Sequence, residues 1–385
     1  MANAHRQEAS PYPLFRFETP NSPPRRPVPG AALLSPILDV SLAGGFSIAA
    51  FVVFYVCFTW QRWAAPSWIF RSLVVLGFAV NYPHFLVSYQ LLYLDYRRRL
   101  FSNLRFIQVS LLTPIAILFL LGIVFFAHQA RLMQALVFLM YGLVGWHYVK
   151  QTYGAMIIGG LSHRYFFTPR EKFALRLNLY TVWIASWLPP QLKGSIPLDF
   201  FGLPRLSLQW PSALGPLFHG LVLLSGIGLA TLLFKKFRAT RKQIPLTVVV
   251  AYIAALLWLL PAFESAIFFA FVPFFHALQY FLFVLTFKKN QALDSPARPV
   301  SNLEVWFRMS RYLAMAVALG AIGFHFLPQF LDRHFLWVAK SVNLTSLEGA
   351  LWILLNLHHY AIDSLLWKGS HAEVQKYLIA SSLAA

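Results

Sequence analysis

Five histidines and one aspartate hold most of the chemistry this chain could do. They stand in four short stretches: "NYPHFLVSYQ" (His84), "GWHYVKQTYG" (His147), "FHALQYF" (His276) and "NLHHYAIDSLLWK" (His358, His359 and Asp363). Each stretch lies in an apolar run, where imidazole and carboxylate groups are costly and usually serve a function. Neutral imidazoles with a carboxylate form a ligand set that suits iron, copper or zinc. The single cysteine, Cys57, excludes a thiolate metal cage and an intramolecular disulfide.

Helical spacing gives these groups companions. His147 and Gln151 share a face, with Lys150 beside it, and His359 shares a face with Asp363. Gln279 follows His276 by three residues and precedes Tyr280; Asn81 and Ser88 flank His84, and Pro83 should kink the helix between them. The spacing points to His84, His147, His276 and His359 as metal ligands. His358 is a further ligand or a neighbour of one, and Asp363 is a ligand or orients an imidazole. Asn81, Gln151, Gln279 and Tyr280 form the surrounding shell, and Lys150 and Asp363 are the candidate catalytic groups. Adjacent positions on a helix diverge by about 100°, so His358 and His359 cannot both point straight at one centre. A lone intramembrane histidine is commonly an interhelical hydrogen-bonding group. Five at one depth argue for a shared site.

The elements that must carry them are membrane helices. Of 385 residues, 58% are hydrophobic and 12% are charged, against about a quarter charged in a soluble domain. The apolar residues fall in blocks near 20 residues long, enough to cross a bilayer core of about 30 Å. Ten helices are expected, at about 37–59, 69–92, 106–127, 133–160, 173–190, 213–234, 246–260, 263–287, 309–329 and 345–367, with a tight turn at "PAF" between the seventh and eighth. With strict alternation, 24 basic residues fall on the segments that share a side with the N-terminus and 7 on the opposite segments. The positive-inside rule then puts both termini in the cytoplasm. The net charge of +19 follows the same pattern and forms no patch suited to nucleic acid. The chain divides into a disordered cytoplasmic tail (1–34), one polytopic all-α transmembrane domain (35–370) and a short tail (371–385). The segment 191–212 is expected to lie at the interface. Lack of a signal-peptide pattern and the strong basic bias point to a bacterial inner membrane.

On this layout the histidines lie on the second, fourth, eighth and tenth helices, which all run in one direction. The arrangement of "NYPHF", "WHYVKQTYG" and "NLHHYAIDSLLWK" resembles the bacterial carotene-cleaving membrane dioxygenases, polytopic non-haem iron proteins with four membrane histidines. The likeness is one of arrangement, and the HxxxH and HxxHH boxes of membrane desaturases are absent. The leading expectation is a non-haem iron oxygenase, desaturase or cleavage enzyme, with one iron or two, acting on a lipid or isoprenoid, with an electron donor as a further partner. Zinc, copper and haem remain open as cofactors. The alternatives are a transporter or channel using the His/Lys/Asp layer, and a haem-binding membrane protein.

Overall fold

The computed structural model of the protein describes residues 32–61, 66–187, 200–204, 206, 211–260, 266–294 and 300–380. Ten long helices occur among these residues: α1 Pro36–Trp60, α2 Ser67–Asp95, α3 Leu104–Phe126, α4 Ala130–Ser162, α5 Pro169–Trp187, α6 Leu214–Thr240, α7 Leu246–Leu259, α8 Ala266–Leu293, α9 Asn302–Lys340 and α10 Glu348–Leu366. A short α11 covers 372–380. The described residues contain no strand, only an isolated bridge between Phe200 and Leu203. Capping marks several helix starts: Ser35, Asn103 and Ser301 each accept a backbone N–H from the first turn of α1, α3 and α9.

Among the described residues, seven helices (α1 to α4, α6, α8 and α9) are long and apolar enough to cross a membrane. Helix α7 is apolar but has only 14 residues. Helices α5 and α10 have 19 residues each, and their polar side chains lower their hydropathy. Helix α9 is longer than the sequence implied. A straight helix of its 39 residues would span about 58 Å. It is broken by a π-bulge at Ile322–Phe326 and by non-helical backbone at Phe335. Helix α8 is central, buried over 72% of its most apolar stretch, whereas α6 is peripheral at 6%.

Paired contacts show that α2, α4, α8 and α10 run in the same sense. His84 meets His359 where Ser88, one turn on, meets Asp363. His147 likewise meets His276 where Gln151 meets Gln279. The end at which these helices finish is called the lower end. There Lys288 pairs with Asp95 at 2.7 Å, Arg99 with Glu373 at 2.6 Å, and Lys376 with Asp294. Helix α11 is held there too, with Val374 and Leu378 buried. At the upper end, Thr345 N donates to Phe201 O at 2.7 Å and Gln134 Nε2 to Pro204 O at 3.0 Å.

Two glycines permit close helix approaches. Gly44 in α1, at φ 158° and ψ −8°, lies where an added Cβ would be 2.6 Å from Val250 O. Gly320 in α9 packs so tightly on α2 that a Cβ would come within 2.9 Å of Tyr82 Cβ. Small residues serve this purpose in membrane bundles, where helix association rests on packing.

Residues 1–31 and 381–385, the "PAF" turn with Pro261, and most of 191–212 lie outside the described residues. Leu33 and Leu34 are already folded onto the bundle, their N–H groups donating to Asp39 at 2.7 and 2.9 Å. In the segment expected at the interface, Phe200 and Leu203 are buried in the upper end.

Candidate metal centre

The helix α2 is shaped around His84. A π-bulge at Gly77–Asn81 ends where Pro83 removes a backbone donor, which is the expected irregularity. The Asn81 carbonyl lies 2.9 Å from His84 Nδ1. A carbonyl only accepts, so Nδ1 carries the proton and Nε2 presents its lone pair.

That lone pair faces three other imidazoles. One ring nitrogen from each of His84, His147, His276 and His359 lies within 4.8 Å of the others, and all four residues are buried. Nε2 to Nε2 distances are 3.1 Å for His84–His359 and 3.0 Å for His147–His276. Asp363 adds an oxygen: its Oδ2 is 3.4 Å from His359 Nε2 and 3.7 Å from His147 Nε2.

The two spacings near 3 Å match adjacent ligands of one ion, while the 4.8 Å bound on the whole group is wider than opposite ligands reach. Two nitrogens each about 2.1 Å from a metal are ~3.0 Å apart at right angles and ~4.2 Å apart when opposite. The four-histidine group could therefore hold a metal ion.

Asp363 is oriented from behind. Its Oδ1 accepts from Ser88 Oγ at 2.7 Å, and the Tyr280 hydroxyl lies 3.0 Å from Oδ1 and 2.6 Å from Ser88 Oγ. Trp367 Nε1 donates to the Tyr280 oxygen at 3.2 Å. Beside the histidines, Gln151 Nε2 donates to His276 O at 3.0 Å and to Gln279 Oε1 at 3.1 Å. Gln279 Nε2 reaches Ala43 O at 2.7 Å, next to Gly44. This amide ladder ties α4, α8 and α1 together.

The imidazoles are further held by ring packing, with Tyr148 on His276 at 4.3 Å between centroids, Phe85 on His359 at 4.6 Å and Tyr360 on His147 at 4.9 Å. His276 Nδ1 and His359 Nδ1 are buried without a hydrogen-bond partner. Aromatic walls therefore do what a carboxylate or carbonyl commonly does behind a metal-bound histidine.

Two sequence candidates lie elsewhere. Both ring nitrogens of His358 are engaged away from the group: Nδ1 accepts from Tyr89 OH at 2.9 Å, and Nε2 donates to Val109 O at 2.9 Å. It joins α10 to α2 and α3 and is not among the four grouped imidazoles, as the ~100° divergence of neighbouring helix positions requires. Lys150 is exposed, its ammonium 4.3 Å from the centroid of the Trp146 ring. Asp363 instead contacts His147, His359, Ser88 and Tyr280.

Above the histidines lies a cavity of about 590 Å³. Its walls come from the upper halves of α2, α4, α8 and α10 and from α5, α7 and the 200–206 segment, and are largely aromatic. The four histidines form its floor. Asp363, Ser88 and Tyr280 lie below that floor and do not line it. Glu348, Trp352, Asn356 and Tyr360 form one wall. Sequence reasoning missed the first three, although their four-residue spacing with Tyr360 marks one continuous face of α10. Comparison of the chain with protein-family profiles, with curated proteins and with solved structures gives no match in any of the three.

Proposed function

We propose that the protein is a multi-pass membrane metalloenzyme that holds one iron ion through His84, His147, His276 and His359, with Asp363 as an oxygen donor. It oxidises an elongated apolar substrate lodged in the cavity above. The observation that carries this reading is the convergence of four buried imidazoles on the floor of an apolar chamber. A mixed nitrogen and oxygen set with an open position toward a cavity suits iron among the metals that imidazole binds. Such an ion supplies redox chemistry that imidazole, carboxylate and phenol side chains lack. The chain's own contribution is to fix five donors, to aim Asp363 through Ser88 and Tyr280, and to exclude water with aromatic walls. Reaction type within oxygenation, desaturation and cleavage follows from the substrate.

In the membrane, we place the lower end in the cytoplasm with both termini, since the basic loops gather there. Helices α5, α7 and α10 would then complete ten crossings, the short α7 through local thinning of the bilayer. The bacterial inner membrane and an electron donor at the lower end belong to the same proposal.

Four ring nitrogens within 4.8 Å leave no plane for a macrocycle between an axial pair, which favours a bare ion over haem. The two Nε2 contacts near 3 Å would also suit a proton relay in a transporter, and metal analysis separates the two. Purified protein should contain close to one equivalent of iron and show no Soret band. His147→Ala and His359→Ala should each bring the metal to background. Metal-free wild-type protein that cannot be loaded, or undiminished metal in both variants, would sink the metalloenzyme.

A further inference from the structure

Among the described residues the cavity wall carries one carboxylate, and its position indicates how a substrate would lie. Among the described lining residues, Glu348 is the only Asp, Glu, Lys or Arg. It opens α10 at the upper end, half-buried, and accepts from Trp352 Nε1 at 3.1 Å. Among the described residues it has no ion pair with Lys or Arg. An acidic residue in a first helical turn is favoured by the helix dipole alone, but that does not require it to face a cavity.

Distance along α10 supplies the scale. Glu348 and His359 are eleven residues apart, which at 1.5 Å per residue is about 16 Å. Trp352, Asn356 and Tyr360 line the path between them. Asn356 and Tyr360 satisfy each other there, the Tyr360 hydroxyl donating to Asn356 Oδ1 at 2.7 Å. The row thus offers a strong acceptor at the upper end and an already paired, mostly apolar wall below it. A cavity of about 590 Å³ that reaches from Glu348 to the histidines, about 16 Å along the helix, has room for a chain laid along this wall.

We infer that the substrate is an amphiphile with a hydrogen-bond-donating head, a hydroxyl or amine. The head sits on Glu348 at the upper end, and the apolar body runs down to the histidines. This rests on the cavity serving the proposed metal centre. The position that meets the histidines would be about 16 Å from the head, and a carboxylate head would be rejected by charge.

The test uses full-length protein in detergent and three probes of one chain length that differ in the head: a brominated alcohol, the matching amine and the matching fatty acid. Bromine quenches tryptophan, and Trp183, Trp187, Trp258 and Trp352 line the cavity. Saturable quenching should be at least about tenfold tighter for alcohol and amine than for the acid, the gap that repulsion between like charges can provide. In Glu348→Gln, which offers both a donor and an acceptor, the gap should close. Equal binding of all three by wild-type protein, or an unchanged gap in Glu348→Gln, would overturn the inference. Should that variant fail to fold, the wild-type series decides alone. Metal content of the same samples keeps the two ideas apart. Iron-replete protein that ignores the head removes only this inference, and head selection in protein that cannot bind metal removes only the metalloenzyme.

Discussion

At the scale of single residues, the difference between His358 and His359 is set by what each nitrogen meets. His359 joins three imidazoles and Asp363, whereas His358 bridges Tyr89 and the Val109 carbonyl. His358→Ala should therefore leave metal content intact while costing about 1–3 kcal/mol of stability for the unpaired groups. Ser88→Ala should do the reverse. Removing the donor that aims Asp363 should weaken metal binding about 10- to 100-fold with a small effect on unfolding. Metal titration and thermal unfolding of both variants check the pair, and loss of metal in His358→Ala would contradict the placement. The depth of the histidines was legible because apolar runs bounded by basic residues act as a ruler. The role of His358 was not, since its carbonyl partner is 249 residues away in sequence. The pairing of Lys150 with Trp146 was equally hidden, because spacing along one helix does not say which face meets the bundle.

At the scale of elements, helix positions other than the length of α9 were legible to within about six residues, and their irregularities only in part. Pro83 signalled a disturbance in α2, but the bulge over Gly77–Asn81 depends on what packs against it. One such neighbour is α9, whose Gly320 lies against Tyr82 and Pro83. Nothing in a single glycine on a helix expected over 309–329 announced that contact. A leucine there would push on the backbone that presents His84. Gly320→Leu should thus destabilise the fold by about 1–3 kcal/mol and lower metal content. Gly323→Leu, where a side chain would enter open space, should do neither. Equal behaviour of the two variants in metal content and unfolding would show that α9 does not support the centre.

At the scale of the whole molecule, ion pairs collect at the lower end and the cavity occupies the upper half. That polarity, with the basic loops, supports the proposed orientation, with the lower end in the cytoplasm. A Cys57→Ser background frees the chain of its one thiol, so single cysteines can report sidedness. Ser102→Cys at the lower end and Asn343→Cys at the upper end, both exposed positions, should react with impermeant reagent from opposite faces of sealed vesicles. Labelling from one face would refute the arrangement. The described cavity also stops at its histidine floor, sealed beneath by Asp363, Ser88 and Tyr280. A chamber closed at its reactive end is a cul-de-sac. On the proposed function, whatever is made there would back out past the point where the next molecule waits. Turnover in the proposed enzyme would be single-file, and its own product would be the first inhibitor it meets.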